Sequence, residues 1–406
     1  MSKQMKSVGV GNWRLWGVLA MVACGLSTTS IARAQGTQFD IYGFAMLDMG
    51  YQTKQNDPAW FDVLRPTKLP SVDNQFGEDG RFFSGVRQSR LGFKSTTPTD
   101  AGDLKTQFEF EMFGVGVDAG QTTIRLRHAY GELGKFGAGQ YWSPFMDIDV
   151  FPNSIEYWGP NGMAFFRNVQ VRWMPIQGDT RMTIALERPG ASGDAGVASE
   201  IIGGDLVARF ELPDLSAEYR RATGFGYLEA AGIVRQFKWD DLDPTDANGD
   251  LSGEATGWGF NFSTNIKTGD RGLVRASVVY GEGIQNYMND APVDVAVEID
   301  GAGNIDGVAL PITGLSAFYD ITWNERWTST AGYSMVDIDN SNGQGGTAFK
   351  TGQYALANLL HHPVKDVMMG VELQWGDREN VNGFTSDDLR IQFSARYNFA
   401  TSIGGR

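Results

Sequence analysis

The chain has 406 residues, a formal charge of −14, 52 glycines, three histidines and one cysteine, Cys24. A lone cysteine rules out an intramolecular disulfide, and the acidic balance, with no basic stretch, argues against nucleic acid as a partner. No window holds about 18 consecutive apolar residues, so no segment reads as a membrane-spanning helix.

The first segment reads as an export signal. Lys3, Lys6 and Arg14 precede the apolar run 15–26, and Ala32-Arg33-Ala34 follows a stretch of small and polar residues. A basic start, a short apolar run and an A-x-A site are the parts of a cleavable signal peptide. The run is about a dozen residues, short of the ~20 that a spanning helix needs. Cleavage is expected after Ala34, dividing the chain into a signal peptide (1–34) and one domain (35–406). Met21-Val-Ala-Cys24 faintly resembles a lipoprotein box, which the later Ala-Arg-Ala site disfavours. Residues 1–34 carry four basic side chains and no acid, so their removal takes the charge from −14 to −18.

Period-two alternation dominates the rest of the chain. In 103–113, Leu104, Thr106, Phe108, Phe110 and Met112 share one face, and Asp103, Lys105, Gln107, Glu109 and Glu111 share the other. In 389–399, Leu389, Ile391, Phe393, Ala395, Tyr397 and Phe399 oppose Arg390, Gln392, Ser394, Arg396 and Asn398. Side chains alternate across a strand, so each segment has an apolar and a polar face. Such runs exceed the ~5–6 residues common in soluble strands. They meet the ~9–11 that a tilted transmembrane strand requires.

Strands are expected near 38–51, 81–95, 102–113, 122–133, 136–142, 167–175, 180–188, 213–221, 226–239, 255–266, 272–283, 312–323, 327–338, 351–361, 366–379 and 385–399. Long connections (52–80, 143–166, 189–212, 240–254, 284–311 and 339–350) alternate with short ones such as 97–101 and 324–326. Long external loops against short periplasmic turns mark an outer-membrane barrel. Gly204–Leu212 looks strand-like, but it would break that order and is placed inside a loop. The expected fold is all-β: a transmembrane antiparallel β-barrel of about sixteen strands, with Trp323 and Trp327 at a turn as girdle aromatics.

Several runs resemble known porins. Phe39-Asp-Ile-Tyr-Gly-Phe44 resembles a porin first strand, and Ser89-Arg-Leu-Gly-Phe-Lys94 a second. Arg127-His-Ala-Tyr-Gly-Glu-Leu133 with Phe136–Phe145 resembles the passage into an inward-folded third loop. Arg87-Gln-Ser-Arg90, Tyr157-Trp-Gly-Pro-Asn-Gly162, Val171-Arg-Trp-Met-Pro175 and Val279-Tyr-Gly-Glu-Gly-Ile284 resemble the DcaP-like family of trimeric outer-membrane channels. The resemblance implies a homotrimer and passive uptake of small anionic solutes, dicarboxylates among them. Two features depart from the pattern. The helical coiled-coil segment of some relatives is not visible, and residues 400–406 follow Phe399, where porins usually end on an aromatic.

Parity assigns side chains to the lumen. Leu91 and Phe93 point to lipid, so Arg90 and Lys94 point in; Arg87 has the opposite parity. In 122–133, Ile124, Leu126, His128 and Tyr130 share the lipid face, and Thr123, Arg125 and Arg127 the other. In the same way Arg172 and Arg181 point inward. These six cations form an expected anion-binding wall, faced across the narrowest point by Asp147, Asp149 and Glu156 of the third loop. Guanidinium forks suit carboxylates, and rings of Arg and Lys favour anions. The bland alternative is that the arginines pair with Glu109, Glu111 and loop acids merely to hold the loop.

No catalytic constellation stands out. His128 reads as an interfacial or subunit-contact residue, and His361-His362 sits at a short turn. The acidic run 240–250 fails the EF-hand pattern, because Leu251 and Gly257 replace its glycine and terminal glutamate. No metal or cofactor is implied. Outer-membrane lipid and lipopolysaccharide are the expected surroundings. An outer-membrane enzyme built on a histidine and a secreted glycan-binding β protein are the competing classes.

Overall fold

The computed structural model describes residues 36–194, 206–245 and 249–404; the expected signal peptide lies outside them. Sixteen antiparallel strands form a closed barrel. They are β1 Gln38–Gln52, β2 Arg81–Gly85 continuing as Arg90–Thr99, β3 Gly102–Phe113, β4 Thr122–Leu133, β5 Phe136–Trp142, β6 Arg167–Ile176, β7 Arg181–Glu187 and β8 Asp214–Thr223. Then come β9 Gly226–Asp241, β10 Gly253–Thr268, β11 Gly272–Glu282, β12 Pro311–Asn324, β13 Trp327–Ile338, β14 Phe349–His361, β15 Val367–Asn380 and β16 Thr385–Gly404. Each strand pairs with its sequence neighbour, and β1 closes the barrel on β16 from Gln38↔Gly404 to Gln52↔Arg390. Closure leaves no unpaired edge, which lipid would not tolerate.

Residues 400–404 therefore do not trail from the barrel; they continue β16 against the start of β1. Gly204–Leu212 falls partly outside the described residues. Its described part includes a three-residue strand, Leu206–Ala208, laid on the end of β9, and it does not span. Short strands absent from the expected set, Val295–Ile299 and Ile305–Ala309, pair with each other in a long connection and take up Gly193–Asp194 as a third strand.

The distribution of polarity is inverted relative to a soluble protein. Phe262 is 58% exposed and Ile391 47%, whereas the neighbouring Gln392 and Ser394 are wholly buried. Apolar rows face outward and polar rows inward, as a bilayer around a wet lumen requires. Among the described residues no helix is long and apolar enough to cross a membrane.

The lumen is partly packed. Phe145, Met146 and Ala164 of the third loop (143–166) pack on Ala231, Ile233, Val279, Ile312 and Val336 of the wall. Leu64 and Leu69 of the first loop pack on Phe318, Tyr354 and Leu356. These wall residues are inward-facing yet apolar, which lets the loops rest on them without stranding polar groups.

Candidate functional site

The third loop exchanges hydrogen bonds, as donor and as acceptor, with residues on many strands of the wall. Asp147 accepts from Tyr227 at 2.6 Å and Ser263 at 2.7 Å, and it pairs with Arg220 at 2.5 Å. Asn261 donates to Phe145 O at 2.9 Å. Farther along, Glu372 accepts from Ser154 at 2.8 Å and from the Ile155 N–H at 3.1 Å. The Asn161 amide then donates to Gly352 O at 2.9 Å. The loop returns past Gly162, whose N–H donates to Ser334 at 2.9 Å. A Cβ at Gly162 would collide with the Leu315 and Met335 carbonyls, so glycine alone permits this approach.

A cavity of about 640 Å³ is left between this loop and the β16–β4 side of the wall. Its basic side is contiguous. Arg396 of β16 and Arg90 of β2, the two strands flanking β1, both lie over the Phe44 ring of β1, at 5.5 and 5.3 Å. Arg127 of β4 then binds Glu109 at 2.6 Å and Glu111 at 2.7 Å. Arg125 and Arg167 approach Glu111 at 3.6 and 3.8 Å, and Arg90 reaches it at 3.4 Å. Glu156 also borders the cavity, and so does Arg65 of the first loop. Four arginines of the wall thus share two carboxylates, Glu109 and Glu111, and the fifth, Arg396, has no ion-pair partner among the described residues.

Glu156 is a loop residue, 2% exposed. Its carboxylate accepts from the N–H groups of Leu64, at 3.1 Å, and Gly159. Burial pushes its carboxyl up to about 7, against the opposing pull of Arg390 and those two N–H groups.

Of the sequence-assigned cations, Arg90, Arg125 and Arg127 come together here. The other three do not. Lys94 lies lower on β2, over Tyr42 at 5.0 Å. Arg172 hydrogen-bonds Gln170 at 3.0 Å and the Trp142 carbonyl, over Tyr141 at 5.1 Å. Arg181 belongs to a separate cluster with Glu218 and Glu229, at 3.2 and 3.0 Å.

The expected geometry of the loop acids needs correction as well. Asp147 and Asp149 do not face the arginine wall; both bind Arg220, at 2.5 Å each. Only Glu156 borders the cavity. Arg87, whose parity was anomalous, sits in the break between the two parts of β2. It is buried against Asp62 and over Phe113, at 3.9 Å.

A further correction concerns His128 and Tyr130. A β-bulge falls where Glu109 pairs with His128 but Phe110 pairs with Leu126. The extra residue reverses parity on one side of it. Arg125 and Arg127 stay inward, and His128 joins them instead of facing lipid. It is buried beside Tyr141 and Trp142, both at 4.8 Å.

Arg65, Arg167 and Arg396 were missed. Arg396 carried a signal, since it lies on the polar face of 389–399. Arg167 has the parity of the lipid-facing Val169 and turns inward only because it begins its strand. Arg65 reaches the cavity through a fold of the first loop that spacing does not encode.

A closed barrel with an apolar outside, a polar interior and a cation-lined passage is an outer-membrane channel of the porin class. A family model described as DcaP outer membrane protein matches residues 26–399. The outer membrane channel DcaP of Acinetobacter baumannii superposes with a TM-score of 0.75 at 22% identity, over 90% of this chain and 98% of that one. A loop-deletion mutant of OmpT, an outer membrane protein of Vibrio cholerae, gives 0.55 at 13% identity, over 90% and 100%. An anion-selective porin from Comamonas acidovorans gives 0.56 at 11%, over 89% and 100%. No curated protein matches. The chain belongs to the DcaP outer membrane protein family and is an outer-membrane porin.

Proposed function

We propose that this porin passes small solutes passively with a preference for anions, dicarboxylates among them, and that 143–166 is its constriction loop. The observation that carries the reading is the wall of five arginines at the cavity, four of which share only two carboxylates, Glu109 and Glu111. Its uncompensated positive charge attracts carboxylates, and guanidinium forks present two parallel donors to each. Sharing Glu109 and Glu111 keeps four of these forks partly occupied, so binding stays weak enough for release, which conduction needs.

Asp147 and Asp149 act as a brace on Arg220 in this reading, and Glu156 is the acid at the constriction. Lys94, Arg172 and Arg181 would act on solutes outside it. We further propose a homotrimer in lipid and lipopolysaccharide, with 1–34 removed on export. The trimer is supported by a Vibrio cholerae OmpT structure of the same fold recorded in a trimer form.

Reversal potential in a salt gradient across a planar bilayer tests the function. Anion preference is expected, and a clear cation preference would overturn it. Arg125→Ala and Arg396→Ala should each lower the anion-to-cation permeability ratio roughly two- to fivefold. A unit charge a few ångströms from a passing ion in water is worth about 1 kcal/mol, which sets that scale.

A further inference from the structure

Glu111 of β3 sits beneath the arginine wall, where four guanidinium groups converge on its buried carboxylate. Oε2 faces Arg127 at 2.7 Å and Arg90 at 3.4 Å. Oε1 faces Arg125 at 3.6 Å and Arg167 at 3.8 Å, and it accepts a hydrogen bond from the Tyr157 hydroxyl of the third loop. Tyr157 is stacked on Phe113 with ring centroids 3.9 Å apart, which holds its ring in place.

The four arginines all line the cavity, but they divide by depth. The side chains of Arg90 and Arg125 are 24% and 27% exposed, and those of Arg127 and Arg167 only 6% and 7%. Glu111 holds the buried Arg127 at an ordinary charge-assisted distance. It holds the two exposed arginines only at 3.4 and 3.6 Å, beyond the usual ~2.7–2.9 Å. Arg90 and Arg125 are thus the guanidinium groups that a passing carboxylate meets, and their tie to Glu111 is loose enough to exchange. Donors are also in excess here: the buried Nε of Arg90 and Nη1 of Arg167 have no hydrogen-bond partner among the described residues.

Glu109 is placed differently. It binds Arg127 at 2.6 Å and Tyr42 at 2.9 Å, and it reaches Arg90 only at 3.8 Å. Among the described residues it forms no ion pair with Arg125, whose carboxylate partner is Glu111.

We propose that Glu111 is the positioning residue that sets how long an anion is retained, by competing with the solute carboxylate for Arg90 and Arg125. The inference rests on the anion-passing function proposed above. While a solute carboxylate sits at the two exposed forks, they lean from Glu111 towards it; as it leaves, Glu111 takes them back. Release is then an exchange of one carboxylate for another, and no guanidinium group is left unpaired in a confined site, which would be costly. Glu111 also repels each negative charge on the solute, so it shortens the stay of a dianion more than that of a monoanion. A dicarboxylate finds guanidinium partners for both ends along the wall, and it is the solute that most needs this opposition in order to leave.

Current block of the full-length channel in planar bilayers tests it, with succinate and butyrate as probe anions of equal carbon number. In Glu111→Gln the residence time of butyrate should lengthen about fivefold and that of succinate about 25-fold, the effect of removing a unit charge about 4 Å from each solute charge in water. Glu109→Gln removes the same charge from the wall at a greater distance from the exposed forks, so it should lengthen succinate residence by no more than about fivefold. Glu111→Asp keeps the charge and should hold the succinate-to-butyrate ratio near that of the wild type. If Glu111→Gln loses heat-modifiable gel mobility and so fails to fold, Tyr157→Phe reads the same competition with the opposite sign. Oε1, relieved of the hydroxyl, competes harder for Arg125, and succinate residence should shorten.

Unchanged or shorter succinate residence in Glu111→Gln, or equal lengthening in Glu109→Gln, would overturn the inference, as would unchanged or longer succinate residence in Tyr157→Phe. If the potassium chloride reversal potential of the wild-type channel still favours anions in that case, the anion-passing function survives it. A cation preference there would overturn both.

Discussion

Glu156 combines burial with a place on the cavity wall, so its charge state bears on both loop seating and permeation. Its carboxyl is raised to about 7. A carboxyl raised on folding binds its proton more tightly in the folded chain, so the contribution has a definite sign. Loop seating is best supported below the ordinary carboxylate range and weakens as pH rises through about 7. Over the same range the cavity gains a negative charge. Anion preference, read from reversal potential, is therefore expected to fall between about pH 5 and pH 9, and Glu156→Gln should hold the low-pH value throughout. At this scale the sequence was legible where alternation runs unbroken. Arg90 and Arg125 face the lumen as their parity demands. His128 does not follow its parity, because one extra residue at the bulge turns the rest of β4 over, and nothing in the composition marks that residue.

The third loop is held as an element by polar contacts at spaced points rather than by one interface. Asp147 is the strongest, because a buried carboxylate there satisfies Arg220, Tyr227 and Ser263 together. Removing one partner of a buried ion pair costs about 3–5 kcal/mol, since the other charge is left uncompensated. Here Glu229 also holds Arg220, at 2.5 Å, so Asp147→Ala should fall at or below the lower end of that range. It should appear as increased open-channel noise and faster proteolysis within 143–166, with the barrel still resistant to heat in gels. Gly162→Ala should act on the same element through sterics, because its neighbours are backbone carbonyls that cannot swing away. All sixteen spanning strands were readable from period-two runs and connection lengths. The course of the loops was not. Their seats on Ile233, Phe318 and Val336 are apolar residues at lumenal positions, which break the pattern that identifies a lumenal face.

For the whole molecule, the lipid face is what distinguishes a barrel in a membrane from a soluble sandwich with similar alternation. Both readings predict the same strands; only closure and the exposure of the apolar rows separate them. β1 pairs with β16 over fifteen consecutive positions, from Gln38↔Gly404 to Gln52↔Arg390, so no sheet edge is left for a second layer to cover. The apolar rows then have no part of the same chain to bury them, as the outer face of a membrane barrel requires. Val278, near the middle of β11, is 48% exposed beside the buried Ser277 and Val279, so it lies on that outward row. A cation at the bilayer midplane of such a row costs about 2–4 kcal/mol, because its charge has no water to solvate it. Val278→Lys should therefore lower unfolding stability in lipid vesicles by about that amount, measured by denaturant titration. Val278→Leu should change it by less than about 1.5 kcal/mol, as one apolar side chain replaces another of similar size. Equal stability of the Lys and Leu variants would mean that this row does not face lipid.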